Sequence, residues 1–157
     1  MKRYQIATCA LVCLIGMTMA VYAADMSIGT WKLNLTKSKY DPANLAPKSQ
    51  TVKNEAAADG VKQTADLVDS AGKTIHSEYT AKYDGKDYEV KGDPNRDTVS
   101  LKKVDDYTFE FANKKGGKVT TTGKVVYSKD GKTRTITQSG TNPAGQKVNN
   151  TTVFDKQ

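Results

Sequence analysis

A small or acidic residue followed by glycine recurs along this chain, at Asp59-Gly60, Ala71-Gly72, Asp84-Gly85, Gly116-Gly117, Asp130-Gly131 and Ala144-Gly145. Between these marks lie short alternating segments rich in Thr, Val and Tyr. Glycine reaches the positive φ that a tight hairpin requires, and aspartate tolerates it. The spacing therefore predicts strand after strand, each folding back on the last. No segment reads as a helix, which excludes parallel βαβ units. Regular hairpins favour an up-and-down arrangement over a Greek key, and closing the sheet removes its edges. The expected fold is all-β: one antiparallel up-and-down barrel of about ten strands.

Alternation places the strands. Gly29–Leu35 sets Trp31, Leu33 and Leu35 on one face and Thr30, Lys32 and Asn34 on the other. Thr36–Pro47, broken by Asp41-Pro42 and Ala46-Pro47, reads as an ordered loop. Strands follow over Ser49–Glu55, Val61–Asp69, Thr74–Tyr83, Asp87–Val90 and Thr98–Lys103. The remainder are Tyr107–Asn113, Lys118–Ser128, Lys132–Ser139 and Gln146–Lys156. Tyr107, Phe109 and Phe111 are expected to form one aromatic face.

The first 23 residues read as a cleaved signal peptide. Lys2 and Arg3 precede an uncharged apolar stretch from about Ile6 to Ala20, and Val21-Tyr22-Ala23 offers small residues where a signal peptidase reads. Cleavage after Ala23 leaves residues 24–157 as a single domain, periplasmic or secreted. Both cysteines, Cys9 and Cys13, leave with the signal, so disulfides, thiolate chemistry and Cys-ligated metal are excluded from the mature protein. The whole chain carries a net charge of +7, and Lys2 and Arg3 supply two of those charges, leaving +5. The excess lies in the second half: residues 24–90 carry 9 Lys/Arg against 10 Asp/Glu, and residues 91–157 carry 13 against 7. Lysines that blunt sheet edges account for such a face, and so does weak contact with an anionic envelope surface. Nucleic acid is not expected as a partner, because no aromatic-basic recognition motif is present and the chain is exported.

Catalytic and metal chemistry find little here. His76 is the only histidine and shares a face with Glu78 and Lys82, which is expected to point to solvent. No second His or Cys completes a zinc site, and no nucleophile elbow or phosphate-cradling loop is present. The expectation is a non-enzyme without cofactor, and a monomer. The residues suited to a binding role sit on the presumed inner faces. Tyr79, Tyr83, Tyr88 and Tyr127 offer hydroxyls over apolar rings, beside Phe109 and Phe111. Arg134 and Gln138 share a face with Ile136, so an inward Ile136 brings a buried arginine that needs an acceptor. Trp31 is expected to close the barrel floor with a cation from the last strands against its ring.

Gly29-Thr30-Trp31-Lys32-Leu33 resembles the opening strand of the calycins, the lipocalins and fatty-acid-binding proteins. The strand count and mature length are closer to the fatty-acid-binding branch, and Thr151–Lys156 resembles that branch's last strand. The chain also resembles small secreted bacterial proteins of unassigned function. These share the start Gly29–Asn34, the segment Lys37–Pro42 and the turn Tyr83–Lys86. The calycin resemblance implies a barrel enclosing a cavity for a small hydrophobic or amphipathic molecule. Two departures limit it. The fatty-acid-binding branch holds a carboxylate with an Arg and a Tyr on its last strand, where this chain has Thr152 and Phe154. That branch also caps its barrel with two helices after the first strand, for which Thr36–Pro47 is too short. The expected function is a lipocalin-like binding protein. The alternative is a side-chain-filled barrel working as an envelope interaction module through its basic outside.

Overall fold

The computed structural model describes residues 25–157; the expected signal peptide lies outside them. Ten antiparallel strands close into one up-and-down barrel in the order β1-β10-β9-β8-β7-β6-β5-β4-β3-β2. They are β1 (Gly29–Lys39), β2 (Ser49–Ala57), β3 (Gly60–Val68), β4 (Thr74–Lys82), β5 (Asp84–Lys91), β6 (Thr98–Lys103), β7 (Thr108–Lys115), β8 (Lys118–Tyr127), β9 (Thr133–Thr141) and β10 (Lys147–Lys156). Among the described residues the one helical turn is a 3-10 turn over Ala43–Leu45. The expected class and strand count are thus observed, and a closed ten-strand barrel is consistent with a calycin-like fold.

The hairpins behave as their glycines demand. Gly85, Gly116, Gly117, Gly131 and Gly145 all take positive φ, and Asp59 does so at 57°. The same alternation that places the strands also sorts their faces. On β2 the inward Val52 and Asn54 are buried between exposed Thr51, Lys53 and Glu55. On β4 the inward Ser77, Tyr79 and Ala81 are buried, while His76, Thr80 and Lys82 are exposed. A charged and polar exterior is the reverse of a membrane-spanning barrel, whose lipid-facing band is apolar.

Two elements run differently from the sequence reading. The first strand continues past Leu35 to Lys39, because Asn34 to Lys39 bulges against β10 while Ser38 donates to the carbonyl of Asn34. Leu35 is left exposed at this bulge, off the face it was expected to share with Trp31. Tyr107 lies in the turn before β7, exposed, outside the aromatic face formed by Phe109 and Phe111. The turn closes through the backbone amide of Tyr107, which donates to Asp105 Oδ1 at 2.8 Å. That hydrogen bond holds the tyrosine out of the strand. Pairing is thinnest between β4 and β5, which meet at Glu78–Lys91 and Tyr79–Val90.

One end of the barrel is plugged and the other is open. Around the β2–β3, β4–β5, β6–β7 and β8–β9 hairpins, the segment Asp25–Ile28 folds across the end. Trp31 Nε1 and Asn54 Nδ2 both donate to the carbonyl of Ser27, at 3.0 and 2.9 Å. Two apolar clusters form the core. One joins Trp31, Val52, Ala65, Phe109, Tyr127 and Phe154, and the other joins Val61, Tyr79, Ala81, Val90, Val99 and Leu101. Aromatic rings lock the first, with Phe109 meeting Tyr127 edge-on at 5.8 Å and Trp31 at 5.3 Å from Tyr127.

Candidate functional site

The space left between these clusters and the facing strands is a cavity of about 580 Å³. It reaches down to Ser27 and opens toward the loops 40–48, 68–74, 91–98 and 141–147. Its size falls in the range of small-molecule sites, about 300–1,000 Å³. The lining has two characters. Apolar side chains such as Val52, Val61, Leu67 and Ile75 alternate around the wall with polar ones such as Gln63, Asn113, Thr121 and Gln138.

Arg134 lies at the lower part of this cavity, near the start of β9. It is 2% exposed, and among the described residues no carboxylate forms an ion pair with it. Its Nε has no hydrogen-bond partner among the described residues. Its neighbours are rings: the guanidinium carbon is 4.4 Å from the centre of Phe154 and 5.3 Å from that of Trp31. Ring faces attract a cation without neutralising it. Lys156 Nζ lies 5.2 Å from the Trp31 ring centre, so cations of both β9 and β10 flank the tryptophan. Burial pushes the guanidinium below its ordinary value, opposed by the nearby hydroxyls of Tyr127 and Tyr79. Burial raises both phenols in turn, and the adjacent guanidinium works against that rise. Asp25, the carboxylate nearest the plug, is engaged by Ser27 and the Tyr83 hydroxyl.

A second arginine guards the mouth. The loop between β5 and β6 folds inward so that Arg96 is mostly buried, with its guanidinium carbon 5.5 Å from the Tyr79 ring centre. Its Nε donates to Asp93 Oδ2 and its Nη1 to Asn113 Oδ1, each at 2.9 Å. Unlike Arg134, Arg96 has its counter-charge. Tyr79 sits between the two guanidiniums, its ring under Arg96 and its hydroxyl in the field of both.

The structure gathers most of the residues singled out from sequence. Tyr79, Phe109, Phe111, Tyr127, Arg134 and Gln138 all line the cavity. Trp31 and Tyr88 do not. Trp31 is 0% exposed beneath the cavity, and Tyr88 packs against the second cluster while its hydroxyl donates to Asp84 Oδ2 at 3.0 Å. His76 is on the outside, 2.7 Å from Asp66 Oδ1. Sequence reasoning missed Arg96, Asn113 and Thr121. The Asp93-x-x-Arg96 spacing within a hairpin loop longer than its neighbours was the available signal for Arg96. Alternation from Phe109 through Phe111 was the signal for Asn113. No protein-family model matches this chain, and a search of the curated proteins likewise finds no match.

Proposed function

We propose that this protein is a periplasmic or secreted carrier, lipocalin-like in architecture, that sequesters a small amphipathic anion inside its barrel. The observation that carries the reading is Arg134, a cation buried at the cavity floor with an unpartnered Nε and no carboxylate paired to it. A buried charge is costly unless it is paired, and a planar guanidinium is suited to a carboxylate or phosphate. The apolar side chains that line the cavity, Val52, Val61, Leu67 and Ile75 among them, would take the ligand's body and Arg134 its head. The anchor thus sits on β9, in place of the Arg and Tyr that the fatty-acid-binding branch carries on its last strand. Binding is passive: His76 and the carboxylate that meets it face outward, away from the cavity. The cavity favours this reading over a barrel working solely through its basic exterior. The GTWKLN start and the apolar N-terminal stretch support the family likeness and the secretion.

Mass spectrometry of an organic extract of the protein, purified natively without detergent, tests the reading. An anionic amphipath at near-stoichiometric amount is the expected result, depleted in Arg134→Leu. An empty extract, together with no binding of long-chain carboxylates or phosphates by the purified protein, would reject it.

A further inference from the structure

The Thr121 hydroxyl spends both of its acceptor positions on neighbouring side-chain amides. The side chain is 6% exposed and lines the cavity on β8. The hydroxyl accepts from Asn113 Nδ2 at 3.0 Å and from Gln138 Nε2 at 2.7 Å. A hydroxyl has two acceptor positions and one donor. Both acceptor positions are therefore occupied, and among the described residues its own proton meets no acceptor. Beside it, Gln138 Oε1 receives no hydrogen bond among the described residues, whereas Asn113 Oδ1 already receives Arg96 Nη1. The upper cavity wall thus offers one unspent donor, Thr121 O–H, next to one unspent acceptor, Gln138 Oε1. Arg96 braces the pair from the mouth side through Asn113.

The group that answers a neighbouring donor and acceptor is a hydroxyl, which can accept from Thr121 and donate to Gln138. A plain methylene chain would answer neither. The position along the barrel is fixed as well. Gln138 and Arg134 stand four residues apart on one inward face of β9, roughly 13 Å along the strand. We propose that Thr121 and Gln138 form a second recognition site for a hydroxyl borne roughly 13 Å from the ligand's anionic end. The cargo class is then a hydroxylated amphipathic anion rather than a plain acyl chain. This inference rests on the reading of Arg134 as the anion anchor.

Ricinoleate and oleate, the same chain with and without a mid-chain hydroxyl, are the probes. Equilibrium dialysis below their micellar concentrations measures each against delipidated wild type and the variants Thr121→Val, Gln138→Leu and Arg134→Leu. Wild type should bind ricinoleate about tenfold more tightly than oleate, the size of one well-made hydrogen bond. Thr121→Val and Gln138→Leu should each bring the two probes to within about twofold of one another. The glutamine variant keeps the test open if Thr121→Val fails to fold. Arg134→Leu should weaken both probes together. Equal affinities in wild type that still depend on Arg134, or a preference that survives both wall variants, would overturn the second site alone. Wild type that binds neither probe would overturn the anion-carrier reading and the second site with it.

Discussion

The guanidinium carbon of Arg134 sits 4.4 Å from the ring centre of Phe154, and among the described residues the Nε beside it has no hydrogen-bond partner. The two residues face each other across the β9–β10 ladder, where Phe154 pairs directly with Arg134. An aromatic ring thus stands where an ion-pair partner would complete the arginine. Such a cation destabilises the empty barrel. Arg134→Met keeps the hydrophobic stem and removes the charge, so it should leave the ligand-free protein as stable as wild type or more stable, by about 1–4 kcal/mol. Urea unfolding of delipidated samples measures this. A loss of several kcal/mol would mean that the guanidinium is satisfied from within and needs no ligand.

Gly123 and Phe111 make a second cross-strand pair with a steric consequence. They lie opposite one another on β8 and β7, and a Cβ added at Gly123 would come 2.7 Å from the Phe111 ring and closer still to the carbonyl oxygen of Thr137. The ring can swing into the cavity, but the carbonyl belongs to the β9 ladder and cannot. Gly123→Ala should cost about 1–3 kcal/mol of stability by overpacking. Chemical denaturation checks it, and a cost below about 0.5 kcal/mol would show that the β8–β9 ladder yields more easily than its packing implies.

Acid should loosen the seam between the first and last strands. Asn34 Nδ2 donates to Asp155 Oδ2 at 2.6 Å and Lys37 Nζ to Oδ1 at 3.2 Å, and these contacts hold the carboxyl below its ordinary value. In the turns, Ser128 and the Lys132 amide lower Asp130, and the Tyr107 amide lowers Asp105. A carboxylate depressed in the folded state stabilises above its unfolded value, near 3.9, and that contribution disappears as pH falls through the folded value. The melting temperature should therefore hold steady above about pH 5 and decline below about pH 4. Asp155→Asn should make the acid limb shallower. An unchanged limb would assign the seam no part in acid unfolding.

Alkali acts through the tyrosines. Burial raises Tyr79, Tyr83 and Tyr127 above the ordinary 10.0. A group raised in the folded state contributes stability that is present below its unfolded value and lost as pH climbs through the folded one. Stability should then fall above about pH 10, and absorbance titration should show part of the phenol signal appearing only as the protein unfolds. Simultaneous titration of every tyrosine well before unfolding would contradict the closed interior.

Much of the architecture was legible because a strand's side chains alternate and a hairpin's backbone needs glycine or aspartate at defined places. Those rules are local, and they placed ten strands, the up-and-down order, the inward faces of β4, β7 and β9, and the outward His76. They failed where a long-range or side-chain contact outbid the pattern. Ser38 bonds back to Asn34 and draws out the bulge that turns Leu35 to solvent, and Asp105 captures the Tyr107 amide. The site was legible only in part for the same reason. Alternation could say that Arg134 and Gln138 point inward with Ile136. It could not say that Phe154, 20 positions along the chain, would occupy the place of a counter-ion, because that follows from the β9–β10 register. Nor could it bring Arg96 from a surface loop onto Tyr79, or set Asn113, Thr121 and Gln138 around one hydroxyl. The sequence by itself determined a closed sheet with polar and apolar faces, since period and turn chemistry act between neighbours. Only the tertiary structure decided which buried polar atoms find partners and which are left facing the cavity, since that depends on how three or more strands meet across the barrel.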